Sequence, residues 1–65
     1  MKIRFLKNWC GEIEKKRLQE VWDISYSRWS EVNVEAVAEK GKTVDLQTYD
    51  GDTLLDVPVE CFKIV

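Results

Sequence analysis

Residues 43 to 58 read TVDLQTYDGDTLLDVP, in which Asp50-Gly51 separates two runs of alternating apolar and polar residues. An Asp-Gly pair between two such runs is the strongest short-range sequence signal for a β-hairpin with a two-residue turn. Because side chains alternate between the two faces of a strand, that turn determines which residues share a face. The residues facing each other on the apolar side are then Val44 with Val57 and Leu46 with Leu55.

The opposite face of this hairpin is mainly polar, which assigns it to solvent. It carries Asp45 opposite Asp56, and Tyr49 beside the turn. Two carboxylates on an exposed sheet face more often point apart into water than hold a cation, so we expect no metal site there. These three side chains are instead candidate contacts for a partner.

A third strand is predicted before the hairpin. Residues 29–39 alternate again, and the following KGK, residues 40–42, predicts a three-residue loop in which Gly41 supplies a positive φ angle. That loop places Ala38 opposite Val44, so both hairpins choose the same apolar face. The predicted meander has strands at residues 32–38, 43–49 and 52–57, and its first strand turns inward Val32, Val34, Ala36 and Ala38.

The segments before the meander must cover its apolar face, because three strands need a cover to be stable. Residues 1–7, MKIRFLK, alternate as a first strand with Ile3 and Phe5 on one side. Residues 8–20 are strongly charged and predict a long charged loop, with a helix as the alternative. Residues 21–26 alternate once more and predict a strand.

The end of the chain completes a recognisable order of elements. Pro58 ends the preceding strand and suits a 3₁₀ turn over residues 58–62, before a short last strand. Residues 41–65, GKTVDLQTYDGDTLLDVPVECFKIV, thereby resemble the SH3-like barrel of SH3, Tudor, Sm-like and KOW-type domains. The resemblance implies an all-β, five-stranded SH3-like barrel formed by residues 1–65 as a single domain. Residues 5–9 read FLKNW rather than an ALYDY-like stretch, so proline-peptide binding is not implied.

Composition excludes several classes of function. The 65 residues contain no His, the usual proton shuttle near neutral pH, so we expect neither an enzyme nor a cofactor. The apolar runs are far shorter than the roughly 20 residues that cross a bilayer. The start lacks the apolar middle of a signal peptide. We therefore expect a cytoplasmic protein without membrane contact.

Cys10 and Cys61 are the two cysteines of the chain. The SH3-like resemblance pairs the first and last strands antiparallel, and a register with Lys7 opposite Ile64 brings the two thiols close enough for a disulfide. A reducing cytoplasm favours two free thiols instead. Two cysteines are also too few for a zinc site.

Three Trp and two Tyr are the best sequence indication of a function. Such side chains combine a large contact area with a polar tip and are common interface anchors. In one interpretation large side chains close the ends of a small barrel. We expect Trp22 in the core and Trp29 and Tyr49 exposed. In the other, four aromatic residues form a protein-binding site at the mouth of the barrel, together with the two hairpin carboxylates. These four are Trp22, Tyr26, Trp29 and Tyr49.

Basic residues concentrate in the first half of the chain, which makes nucleic acid the alternative partner. The chain nevertheless has a net charge of −2, and acidic residues are interspersed in the same loop. A solvated loop is therefore the simpler interpretation. The candidate phosphate contacts are Lys15, Lys16, Arg17 and Arg28.

The opening MKIRFLKNW, residues 1–9, is similar to openings of short uncharacterised bacteriophage and prophage proteins. Taken with the aromatic residues and the lack of catalytic groups, it predicts a small non-enzymatic protein–protein interaction domain of phage or bacterial origin that modulates a host protein. Nucleic-acid binding by the basic first half is the alternative function.

Overall fold

A computed structural model describes all residues, 1–65, and shows an all-β chain with one 3₁₀ helix at Val59–Cys61. None of its helical structure has the length and apolar composition needed to cross a membrane. The seven strands are β1 (Lys2–Phe5), β2 (Trp9–Lys15), β3 (Glu20–Tyr26), β4 (Glu31–Glu39), β5 (Thr43–Thr48), β6 (Thr53–Pro58) and β7 (Phe62–Ile64).

The strands form one antiparallel sheet in the order β3-β2-β6-β5-β4-β1-β7. The predicted number of five strands is wrong, because there are seven. The sheet is also not closed into a barrel, since its two edge strands, β3 and β7, do not pair. The all-β class and the 3₁₀ turn within residues 58–62 are confirmed. The antiparallel pairing of the first and last strands is also confirmed, with Ile3 opposite Ile64.

Residues 8–20 form most of a hairpin rather than the predicted long charged loop. β2 pairs with β3 over seven consecutive residues, from Trp9 with Tyr26 to Lys15 with Glu20. Trp9 and Ile13 are buried, while Glu12 and Glu14 on the opposite face are exposed. With so few apolar residues in the strand, the alternation of period two is difficult to see in the sequence.

The Asp50-Gly51 hairpin exists, but its loop has three residues rather than two. The backbone N–H of Thr48 donates to Asp52 O at 2.8 Å, and Gly51 N–H donates to Thr48 O at 3.2 Å. Gly51 has φ +87°, the left-handed conformation that glycine adopts without strain in such loops. The longer loop moves the register by one residue, so Leu46 faces the fully buried Leu54 rather than Leu55.

A bulge in β6 restores the predicted register further from the turn. Leu55 and Asp56 together lie opposite Asp45, and Asp56 has φ +52°. A β-bulge places two residues of one strand opposite one of its partner and turns the following side chains over. Val57 therefore faces Val44, as predicted, and both are buried.

The loop between β4 and β5 also differs from its prediction. The Lys40 backbone N–H donates to Thr43 O at 2.9 Å, and Glu39 rather than Ala38 faces Val44. A bulge between Val34 and Ala36 then reverses the inward face of β4. The predicted inward positions Ala36 and Ala38 are consequently exposed, whereas Val37 is half-buried and packs on the core.

The core is a single cluster on the inner face of the sheet. Its residues come from five successive strands of the sheet, from β2 to β1. Phe5 of β1 contacts Trp9 of β2 although three strands lie between them, so the sheet must curl around the core. A 65-residue chain has room for only one such core. The nine members are Ile3, Phe5, Trp9, Ile13, Val34, Val44, Leu46, Leu54 and Val57.

The two cysteines are free thiols. Cys10 is exposed on β2, opposite Ser25, while Cys61 is buried at the end of the 3₁₀ helix. The predicted register with Lys7 opposite Ile64, which would bring the two thiols close together, is wrong because Ile64 pairs with Ile3.

Candidate functional site

Three stacked aromatic rings connect the two ends of the curled sheet. Phe5 of β1 lies 5.1 Å from Tyr26 of β3 and 5.7 Å from Trp9 of β2, measured between ring centroids. The rings are nearly parallel, with interplanar angles of 10° in both pairs. Gly11 leaves space for the Trp9 ring along β2. This stack holds Tyr26 in a defined position at the edge of the core.

Tyr26 opens onto a groove between β3, the start of β4 and the turn between β5 and β6. The groove has a volume of about 730 Å³, and Tyr49 lines its turn side with 64% of its surface exposed. Burial raises the pKa of Tyr26, while the nearby charge of Lys15 acts in the opposite direction. The apolar lining, apart from these two tyrosines, consists of Ile13, Ile24 and Val32.

An ion pair lies at one end of the groove. Lys15 Nζ is 2.7 Å from Asp52 Oδ2, and Asp52 is the only buried charged residue, with 8% of its surface exposed. The pair connects β2 to the turn that carries Tyr49. Lys15 Nζ also lies 5.0 Å from the centroid of the Trp22 ring, a cation–π contact. These contacts restrict how far the turn moves from β2.

Glu31 lines the groove where β4 begins. Its Oε2 accepts a hydrogen bond from Arg4 Nε at 2.8 Å, and its Oε1 lies 3.6 Å from Lys2 Nζ. The hydrogen bond from Arg4 lowers the pKa of Glu31 more than any other contact does. The charge of Glu31 is therefore compensated within the chain.

The structure brings together two of the four aromatic residues proposed for a shared site. Tyr26 and Tyr49 line one groove, whereas Trp29 lies outside it. Trp22 is 46% exposed, so the prediction that it belongs to the core is wrong. It lies on the inner face of β3, but β3 is an edge strand and has a neighbour on one side only. The exposure predicted for Trp29 and Tyr49 is confirmed.

Trp29 follows β3 in an unusual backbone conformation. Its φ angle is +74°, rare for a large side chain, and its N–H donates to Phe5 O at 2.7 Å. The guanidinium carbon of Arg28 lies 4.4 Å from the Trp29 ring centroid. Both side chains are exposed. Arg28, a candidate phosphate contact, is thus engaged with an aromatic face.

Asp45 and Asp56 are close together and share one lysine. Lys40 Nζ lies 3.2 Å from Asp45 Oδ1 and 2.8 Å from Asp56 Oδ1. Asp45 Oδ1 also accepts the backbone N–H of Asp56 at 3.0 Å, which holds the bulge. The hydrogen bond to Asp56, followed by that to Asp45, raises the pKa of Lys40. These carboxylates lie outside the groove, and Lys40 compensates part of their charge.

The candidate phosphate contacts do not form one patch. Lys15 is engaged by Asp52, and Lys16 and Arg17 lie in the exposed turn between β2 and β3. Among the four candidates, only Lys15 forms an ion pair, and Lys16, Arg17 and Arg28 form none. Other basic residues of the first half of the chain are also ion-paired. The other pairs are Lys2 and Arg4 with Glu31, and Lys7 with Glu60.

Sequence reasoning missed the apolar floor of the groove and the ion pair beside it. Ile24 and Val32 alternate correctly within their strands, so the signal for their inward orientation was present. Their meeting in one groove depends on the curl of the sheet. The contact between Lys15 and Asp52 spans 37 positions and has no local sequence signal.

No protein-family model, no curated protein and no solved structure matches this chain.

Proposed function

We propose that this chain is a small non-enzymatic module that binds a protein partner in the groove between β3 and the β5–β6 turn. The observation that carries the proposal is that Tyr26 and Tyr49 line the same groove together with three aliphatic side chains. Tyrosine contributes a large contact area together with a hydroxyl, and it is common among residues that dominate binding energy. The groove volume lies within the range of roughly 300–1,000 Å³ typical of binding pockets.

The charges around the groove favour a particular chemistry in the partner. Lys15 and Asp52 neutralise each other, and Glu31 is compensated by Arg4. Asp50 lines the groove without an ion pair. We therefore expect the bound segment to place an apolar or aromatic side chain between the tyrosines and a cationic side chain near Asp50.

A relationship to SH3-like barrels is part of the same proposal. The meander of β4, β5 and β6, the 3₁₀ helix and the β7–β1 pair follow the order that the resemblance implies. The β2–β3 hairpin takes the place of the expected long loop. Small barrels of this type commonly bind peptides or nucleic acids, which supports a binding role.

Nucleic-acid binding has weaker support. Phosphate-driven affinity depends on the number of basic side chains that reach the backbone. Three of the four candidates have no ion pair, namely Lys16, Arg17 and Arg28, and they belong to two separate segments of a chain with a net charge of −2.

Selection of peptides from a random displayed library tests the proposed protein-binding function. We expect wild-type protein to enrich peptides that combine an aromatic residue with Lys or Arg. Tyr49→Ala should weaken their binding by about tenfold or more, since truncation of a central tyrosine commonly costs ~2 kcal/mol. Trp29→Ala is the matched control, because this aromatic residue is similarly exposed but lies outside the groove.

Equal affinity of the selected peptides for wild-type protein and Tyr49→Ala would contradict the groove as the binding site. Loss of binding in Trp29→Ala alone would move the site to the Arg28–Trp29 pair. Enrichment of no peptide, together with salt-sensitive binding to mixed nucleic acid at about 50 mM salt, would favour the alternative function.

A further inference from the structure

β3 is an unprotected edge of the sheet. It is seven residues long, it pairs with β2 without a bulge, and its other side has no strand neighbour. Exposed edge strands offer unpaired N–H and C=O groups to another chain, and proteins usually shorten or distort them. The opposite edge, β7, has only three residues. β3 also carries two exposed large apolar side chains, Val21 and Trp22.

We propose that β3 pairs antiparallel with β3 of a second copy of this chain, continuing the sheet across a two-fold axis. In such a pair, facing residues must lie on the same face of both strands. Trp22, Ile24 and Tyr26 share the inner face, because they face Ile13, Gly11 and Trp9 in β2. This condition allows registers centred on Trp22, Asp23 or Ile24. The register centred on Trp22 is unfavourable, because it places the apolar side chain of Ile24 opposite the charged Glu20 of the second copy.

Charge and side-chain pairing select the register centred on Ile24. Centring on Asp23 would place this carboxylate opposite its own copy, and like charges directly opposite are destabilising. Centring on Ile24 instead places Asp23 opposite Ser25 of the second copy. It also places Trp22 opposite Tyr26 of the second copy, twice by symmetry, and aromatic cross-strand pairs are favourable.

The same register also brings opposite charges together at its ends. It leaves Glu20 at the end of the interface where β3 of the second copy ends and the turn that carries Arg28 begins, again twice by symmetry. Glu20 is exposed, and its carboxylate accepts a hydrogen bond from Trp22 Nε1 at 3.2 Å but forms no ion pair within its own chain. The apolar centre and the charged ends are thus complementary to themselves, as a two-fold interface requires.

This inference goes beyond the proposed function and does not rest on it. Pairing uses the free backbone edge of β3, whereas the proposed partner occupies the groove on the inner face. The two share only the inner-face side chains of Ile24 and Tyr26. Ser25 lies on the outer face, opposite the exposed Cys10. Changes at Ser25 therefore test the strand pairing, while changes at Tyr49 test the groove.

Two substitutions of opposite charge at Ser25 test the register by sedimentation equilibrium. Ser25→Lys places a cation opposite Asp23 of the second copy, and Ser25→Asp places a second carboxylate there. Because each contact occurs twice, we expect Ser25→Lys to tighten and Ser25→Asp to weaken dimerisation by roughly 2- to 30-fold. Ser25 is exposed and takes part in no side-chain hydrogen bond, so both variants should fold.

Ala36→Lys and Ala36→Asp are the matched controls, because Ala36 is exposed on β4, away from both sheet edges. They should leave the dimerisation constant unchanged. A single 7.7 kDa species at about 1 mM wild-type protein would overturn the proposal. Shifts of the same sign in both Ser25 variants would also overturn it, since the register centred on Ile24 requires opposite signs.

Discussion

Gly11 determines whether the aromatic stack can form. A Cβ atom added at this position would overlap Cζ2 of Trp9 and lie 2.8 Å from Cε2 and Cη2 of the same ring. The ring belongs to the core and contacts Phe5, so it has little freedom to move away. We expect Gly11→Ala to lower the free energy of unfolding by about 1–3 kcal/mol, the usual cost of overpacking, as measured by urea denaturation.

A double-mutant cycle with Trp9→Phe separates this clash from the other effects of alanine. The smaller ring removes most of the overlapping atoms, so Gly11→Ala should cost much less in the Trp9→Phe background. An equal cost in both backgrounds would show that Gly11 is needed for a reason other than the Trp9 ring.

Tyr26 makes the stability of the protein depend on pH in the alkaline range. Burial raises its pKa in the folded state, so folding favours the neutral phenol. The stabilisation that Tyr26 provides is fully present below the pKa of about 10 that it has in the unfolded state. It is lost as the pH rises through the higher pKa of the folded state. We expect the unfolding free energy of Tyr26→Phe to fall less steeply above about pH 10 than that of the wild type. Parallel pH profiles would contradict this role.

At the level of single residues, the alternation within a strand does not determine whether an inner-face side chain is buried. Trp9 and Trp22 both lie on the inner face, yet Trp9 is buried and Trp22 is 46% exposed. The difference arises because β2 has a strand on each side, whereas β3 is at the edge. Strand neighbours are set by contacts distant in sequence, so the alternation within one strand does not reveal them.

Among the structural elements, the bulge in β6 depends on a residue in a left-handed conformation. Asp56 has φ +52°, which costs most residues about 1–2 kcal/mol and glycine almost nothing. We expect Asp56→Val to lower the free energy of unfolding by about this amount. Asp56→Gly should change it by less than about 1 kcal/mol, since only an exposed contact with Lys40 is lost.

Urea denaturation of the two Asp56 variants distinguishes a backbone role from an electrostatic one. Equal destabilisation by Val and Gly would show that the ion pair with Lys40, rather than the bulge conformation, is the main contribution of Asp56.

The two loops of the meander explain why elements were easier to predict than registers. Both β-hairpins were recognised from alternation and from glycine, and Gly41 and Gly51 do have positive φ angles. Positive φ suits both two-residue and three-residue loops, so glycine alone does not set the loop length. The bulges in β4 and β6 then change which residues face each other across the strands. Apart from Asp56, no residue near either bulge marks its position in the sequence.

For the molecule as a whole, the curl of the sheet creates the candidate site. It brings Tyr26 of β3 near the turn that carries Tyr49, two positions that the sequence marked as candidates. It leaves Trp29 outside, and it brings in Ile24 and Val32. Composition and alternation were sufficient to propose exposed tyrosines as contacts, but their grouping depends on long-range packing that no single segment encodes.

The central claim is that a protein partner binds in the groove between Tyr26 and Tyr49. The most direct measurement is residue-by-residue NMR mapping of a peptide selected against the wild-type protein. The account predicts that the largest chemical-shift changes occur at Ile24, Tyr26, Val32 and Tyr49. Changes concentrated instead at the exposed basic residues of the turn between β2 and β3, or around Asp45 and Asp56, with the groove signals unmoved, would contradict it.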